Sequence, residues 1–175
     1  MPTATVRLYY PADAFGDLIC WRLETDYSHA TIEFNGTIYS ATFPKVVAVP
    51  LTDSAFGMPP RKGREYKITL TDEEYAKGEA WFKDQVGTDY DVLAMLGWAF
   101  RVSSWQSRKR YYCYESVYAC LAAAGVFPES KLLVTADQLL VDLYATGRVV
   151  TGALPVMSAV RAMVQKAPVT VRKPL

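Results

Sequence analysis

HATIEFNGTIYSAT, residues 29–42, carries the reading of this chain: two runs rich in β-branched and aromatic residues, separated by Asn35-Gly36. Both central residues of a type I′ turn need positive φ, which Asn-Gly accepts readily, so the stretch predicts a two-residue β-hairpin. Such a loop sets Phe34 opposite Thr37. Because side chains alternate with a period of two, Thr31 then faces Ser40 and His29 faces Thr42. His29 is the only histidine in the chain. It therefore shares one sheet face with Ser40 and Thr42, and with Glu33 further along its own strand.

Working outward, TVRLYY, GDLICWRL, VVAVPL and EYKITL also read as extended segments, with Pro50 confining VVAVPL to an edge or an end. Thr71 and Glu74 form a capping box that opens a helix, on which Tyr75, Phe82 and Val86 share a face and which Gly87 ends. A second helix is expected from Asp91 through Phe100, followed by a polar SSWQSRKR connection. The clearest helix runs from Cys113 to Ala124, with Val117, Cys120, Leu121 and Ala124 on one stripe and Gly125 at C′. Another starts at Thr135 with Gln138 as capping partner and stops near Gly147. Residues 154–164 repeat apolar residues at helical spacing, ahead of a basic, proline-limited end. A strand-rich first third and a helical middle predict an α+β fold.

The 175 residues suit one domain, and a formal net charge of +1 gives no general reason to propose nucleic acid or an anionic membrane as partner. The start, MPTATVRLYYPADAF, has no signal-peptide pattern, and no segment is apolar for the ~18 residues that span a bilayer. The expectation is a chain made in the cytoplasm without its own export signal. Cys20, Cys113 and Cys120 form no CxxC pair, and one histidine cannot supply the usual metal-ligand sets. Reduced thiols, no metal and no cofactor are expected.

Cysteine is a nucleophile as thiolate, and a helix N-terminus favours that anion through its unpaired amides and dipole. Cys113 stands at such a place, behind the basic run Arg108-Lys109-Arg110. A buried structural thiol is the alternative for any free cysteine, and it describes Cys20, read as lying in an apolar strand, and Cys120, on an apolar helix stripe. An activated cysteine needs a base, normally histidine held by a third polar group. His29 is the one candidate for the base. Ser40, diagonal to it, is the preferred third residue, with Thr42 second. Glu33 is third, being roughly 13 Å along the strand. Two hydroxyls merely tolerated on a sheet remain the alternative.

These pieces, in order, resemble the circularly permuted branch of the NlpC/P60 papain-like superfamily, to which the YiiX-like and lecithin:retinol acyltransferase-like proteins belong. The matching pieces are Gly16-Asp17-Leu18-Ile19 before a strand, Ser28-His29-Ala30-Thr31-Ile32 with its hairpin to Ile38-Tyr39-Ser40-Ala41, and Tyr90-Asp91 opening a helix. They continue with Tyr112-Cys113-Tyr114-Glu115-Ser116-Val117, Ala122-Ala123-Ala124-Gly125 and Thr135-Ala136-Asp137-Gln138-Leu139. The resemblance spans residues ~16 to 147, with histidine before cysteine as in the permuted order.

The resemblance implies a papain-like fold, an antiparallel sheet or partial barrel packed against a helical bundle. It implies Cys113 as nucleophile, His29 as base and Ser40 as orienter. Tyr90, Tyr112 and Tyr114 are then the oxyanion or substrate-binding candidates. Two positions depart from the family: Tyr114 follows the cysteine where Ser is usual, and Ser40 stands where an acid, histidine or amide is common.

The implied catalytic domain covers residues 1–150, with 151–175 as a C-terminal helix and extended tail of the same domain or a docking segment. The implied function is cysteine hydrolysis of an amide bond through a thioacyl enzyme, with a peptide or peptidoglycan-type substrate from the cell wall. Two other functions compete. One is a non-enzymatic docking component of a phage particle or secretion machine, contacting a protein partner through the tail. The other is a lipid acyl hydrolase or acyltransferase, read from the aromatics Trp98, Phe100, Trp105, Tyr111, Tyr112 and Tyr114.

Overall fold

The computed structural model describes residues 1–92 and 110–151. Strands β1 (Thr3–Tyr9), β2 (His29–Phe34), β3 (Thr37–Ala41), β4 (Val46–Pro50), β5 (Gly63–Thr69) and β6 (Val149–Thr151) form one sheet. Every pairing is antiparallel, in the order β4-β3-β2-β1-β5-β6. Together with the four helices among the described residues this is an α+β architecture. The hairpin forms as its turn chemistry dictates: Asn35 and Gly36 take φ of 48° and 76°, and Phe34 pairs with Thr37. β4 ends at Pro50 on the sheet's edge, where a missing amide costs no ladder bond.

Alternation along the strands divides the sheet into two faces. Val6, Leu8, Ala30, Ile32, Phe34, Tyr39 and Ile68 enter the hydrophobic core. Helices α2 (Asp72–Gln85) and α3 (Cys113–Ala123) cover them. Phe34 meets Tyr75 edge-on, and Tyr39 stacks on Phe82. Phe34 and Phe82 are fully buried, which stabilises the fold by about 1.5–3 kcal/mol each. Helix α3 is buried all round from Cys113 to Leu121, so it is a central element of the core. Helix α4 (Ala136–Ala145) packs against it.

The opposite face is polar yet buried at Thr5, Arg7, His29, Thr31 and Ser40. Arg7 bridges Glu33 and Glu65 at 3.1 and 2.8 Å. The segment between β4 and β5 folds over this face: Phe56 lies against His29, and Arg61 lies over the Tyr9 ring. Asp53 shapes the segment by accepting the Ala55 and Phe56 amides. Gly57 follows because a Cβ there would stand 2.5 Å from the Asp53 carbonyl oxygen.

Several sequence expectations need correction. GDLICWRL is no strand: it belongs to α1, Ala14–Leu23. Asp13 caps this helix by accepting the Gly16 amide, and Glu24 closes it in the left-handed region. Both sides of β1 are already occupied by β2 and β5, so the run that follows it finds no edge there, and capping decides for helix. Cys20 is accordingly helical and half-buried. Val86 does not share the buried face of Phe82 but is exposed at the C-cap. Thr135 caps α4, but the Gln138 side chain turns to Asp142 instead of completing a box.

The three-residue strand β6 was not foreseen. It pairs with β5, and the expected domain boundary at residue 150 falls inside it. The expected helices over Asp91–Phe100 and residues 154–164, the basic residues Arg108 and Lys109, the aromatics Trp98, Phe100 and Trp105, and the tail beyond Thr151 lie outside the described residues. Among the described residues no helix is long and apolar enough to cross a membrane.

Candidate active site

The site is built where α3 begins against the start of β2. The Ser28 amide donates to the Tyr9 carbonyl and His29 pairs with Tyr9, so β2 is held from its first residue. The imidazole of His29 lies between the rings of Tyr9 and Phe56, with centroids 5.8 and 5.3 Å away. Its Nε2 is 2.8 Å from the Ser40 hydroxyl oxygen, inside the sheet where both residues are buried. When Ser40 accepts from Nε2–H, Nδ1 carries the lone pair that can take a proton. The hairpin register produces this contact: a hydroxyl on the neighbouring strand, diagonal to the histidine.

The two residues flanking Cys113 anchor it from both sides. The Tyr112 hydroxyl donates to the Val134 carbonyl, and the Tyr114 hydroxyl to the carbonyl of Tyr27, two residues before His29. Both tyrosines are buried, and neither contributes to the wall of the cavity beside the site. The second bond ties the helix start to the entry of β2. The backbone amides of Ala30, Tyr114 and Cys113 itself lie where they favour the Cys113 thiolate over the thiol. Ala30 is the residue that follows His29.

Tyr90 arrives by a different route. Its amide donates to the Pro44 carbonyl and the Asp91 amide to the Tyr111 carbonyl, which lays residues 90–91 between the β3–β4 connection and the entry to α3. The Tyr90 hydroxyl lies by the Cys113 backbone amide, which opposes in part the rise that burial gives its pKa. That places a phenol beside the helix-start amides, where an oxyanion formed at the thiol would need donors.

Electrostatically, Cys113 and His29 are both neutral at rest. Burial, with the Arg61 charge as a second cause, pushes His29 down to about 3. Burial pushes the Cys113 thiol up to about 11, and the backbone amides and Arg61 oppose it only in part. Desolvation thus outweighs the helix-start stabilisation expected from the sequence. At neutral pH the pair is thiol and imidazole, with no preformed thiolate–imidazolium ion pair. Burial alone raises Cys120 well above its ordinary value, and its thiol donates to the Gly78 carbonyl in the core.

A cavity of about 430 Å³ opens beside this arrangement, walled by Asp13, Phe15, Gly16, Ile19, Ser28, His29, Thr42, Phe43, Arg61, Tyr90 and Val92. His29 and Tyr90 reach its surface. Cys113 is not part of that wall and is only 4% exposed. Of the alternative third residues, Thr42 is on the cavity wall. Glu33 is taken up by Arg7 and by the Gly36 amide, and so is committed away from His29.

Arg61, Ser28 and Phe56 were missed by sequence reasoning. The Arg61 guanidinium is 3.3 Å from the Ser28 hydroxyl and 5.0 Å from the Tyr9 ring centroid. The sole signal was its place in a Gly/Pro-rich loop, FGMPPRKG, which identifies a loop and not where it folds. Among the described residues no group of three or more His, Cys, Asp or Glu could hold a metal ion. No protein-family model matches the chain, and no curated protein matches it significantly.

Proposed function

We propose that the protein is a cysteine hydrolase of papain-like character, with Cys113 as nucleophile, His29 as base and Ser40 as orienter. The observation that carries this reading is the 2.8 Å contact between His29 Nε2 and Ser40. With Nε2 engaged, Nδ1 is the ring nitrogen left to take a proton, and Cys113 begins the helix that packs on the strand His29 opens. His29 takes the thiol proton as the sulfur attacks the carbonyl carbon, because neither group is charged beforehand. The helix-start amides and the Tyr90 hydroxyl hold the oxyanion. The protonated imidazole then passes its proton to the leaving amine or alcohol, and a thioacyl enzyme remains. Water, deprotonated by His29, releases the acid.

The permuted NlpC/P60 resemblance favours a peptide amide of the cell wall as substrate. Incubation of the full chain with purified peptidoglycan should release new amine and carboxyl ends detectable by mass spectrometry. Cys113→Ala and His29→Ala should release none. Release that persists in Cys113→Ala would refute the assignment. Hydrolysis of an acyl ester is the second reading, favoured by the apolar part of the cavity wall at Phe15, Ile19, Phe43 and Val92. Cleavage of a long-chain ester with inert peptidoglycan would select it.

A further inference from the structure

His29 is roofed by a segment that has no regular structure of its own. Between Pro50 and Gly63 there is neither helix nor strand, and much of the hydrogen bonding there is internal. The Asp53 amide donates to the Pro50 carbonyl, while the Asp53 carbonyl and carboxylate accept from the Gly57, Ala55 and Phe56 amides. At the segment's ends the Leu51 amide donates to the Gly36 carbonyl and the Tyr10 amide to the Lys62 carbonyl. Between those ends, side chains fasten it to the sheet. The Tyr9 hydroxyl donates to the Phe56 carbonyl, and the Arg61 guanidinium donates to the Ser28 hydroxyl at 3.3 Å. Tyr9 is fully buried on β1. With its one proton given to Phe56, its oxygen accepts from the Thr31 hydroxyl at 3.0 Å.

The Phe56 ring thus comes to rest 5.3 Å from the His29 imidazole, whose other aromatic neighbour is Tyr9 at 5.8 Å. Although His29 borders the cavity, it is buried, and its Nε2 meets Ser40. We propose that the segment between β4 and β5 is a positioning cover for the base, fastened by the Tyr9 hydroxyl: the bond from Tyr9 to the Phe56 carbonyl holds the Phe56 ring against His29, which keeps the imidazole dry and turned onto Ser40. Tyr9 and Phe56 are then positioning residues that act through His29 and not on the substrate. This rests on the hydrolase reading above and adds to it what holds the base. A misplacement of about 1 Å costs on the order of 100-fold in rate, so the base depends on these supports as well as on its bond to Ser40. Around the imidazole, Tyr9 on β1 and Cys113 on α3 are neutral because burial raises both, and Arg61, in the cover itself, is the charge it feels.

Four variants of the full chain test this. Tyr9→Phe keeps the ring and removes only the hydroxyl, Phe56→Ala removes the cover, Phe56→Leu restores an apolar side chain, and Thr31→Val removes Tyr9's other partner but leaves its bond to Phe56. The readouts are kcat and KM for 4-nitrophenyl acetate at neutral pH, the protonated fraction of His29 from its single imidazole NMR signal, and thermal melting. Tyr9→Phe should lower kcat by about three- to tenfold, the scale of one hydrogen bond, and Phe56→Ala by about tenfold or more, both with KM little changed. Phe56→Leu and Thr31→Val should stay close to wild type. With the ring gone, water reaches the imidazole: at pH 5 the wild type should be about 1% protonated and Phe56→Ala about 10% or more. A merely structural role would lower the melting temperatures and leave kcat and protonation where they are. An unchanged kcat in both Tyr9→Phe and Phe56→Ala, equal protonation in Phe56→Ala and wild type, or a Thr31→Val loss as large as that of Tyr9→Phe overturns the proposal. If the wild type cleaves no ester, the hydrolase reading fails and the protonated fraction alone decides whether the segment covers His29: a higher fraction in Phe56→Ala upholds the cover, and an equal one sinks it.

Discussion

Acidification from pH 7 to pH 5 should destabilise this protein through one residue. His29 has an ordinary value of 6.5 and is held at about 3 in the fold, chiefly by burial. Between these values the unfolded chain binds a proton that the folded chain refuses, so stability present above pH 6.5 is lost as the pH falls toward 3. Each unit below 6.5 costs about 1.4 kcal/mol, and the step from pH 7 to pH 5 amounts to about 2 kcal/mol. Because His29 is the chain's only histidine, comparison with His29→Gln isolates this contribution, the carboxylates titrating alike in both. Urea denaturation of the two proteins at pH 7, 6 and 5 measures it. The advantage of wild type over His29→Gln should shrink by about 2 kcal/mol across the series. Curves parallel to within about 0.5 kcal/mol would refute a buried neutral imidazole. An advantage that grew on acidification would mean that the imidazole is held protonated in the fold, as in a preformed ion pair with Cys113.

Three other outcomes follow from the same geometry, the kinetic ones read with a 4-nitrophenyl ester. Ser40→Ala should lower kcat by about 10–100-fold, the scale of one buried hydrogen-bond partner removed, whereas Glu33→Ala should leave kcat alone and lower the melting temperature by freeing Arg7; the reverse pattern would move the orienter to Glu33. Tyr90→Phe should lower kcat by about tenfold or more with little change in KM, and a change confined to KM would make Tyr90 a binding residue only. In a Cys20→Ser background, alkylation of Cys113 by iodoacetamide should accelerate about tenfold per pH unit from pH 7 to 10, since a thiol held near 11 has a thiolate fraction of about 10⁻⁴ at pH 7. A rate flat from pH 5 to 8 would show a thiolate already formed.

What could be read without tertiary information was local. Asn35-Gly36 admits one turn geometry, the turn sets the register, and the register places Ser40 where it bonds His29. The capping box at Thr71 and the start of α3 at Cys113 were equally legible, because caps and glycine stops act within a few residues of themselves. The misreading of α1 marks the boundary of that method. Ile19, Cys20 and Trp21 are as apt for a strand as for a helix, and the choice depended on β1 having both its edges filled.

The sequence by itself therefore determined the hairpin, its polar face and the helix that presents the cysteine, since short-range hydrogen bonds and side-chain period specify all three. Only the tertiary structure decided the charge state of the site and the cation beside it. Burial is a property of every element that packs around a group, and it turned a helix-start cysteine expected to ionise easily into a neutral thiol. Arg61 reaches the cavity because the chain between β4 and β5 folds back across the sheet. That fold-back depends on contacts with Tyr9, Ser28 and His29, which stand far from it in the chain.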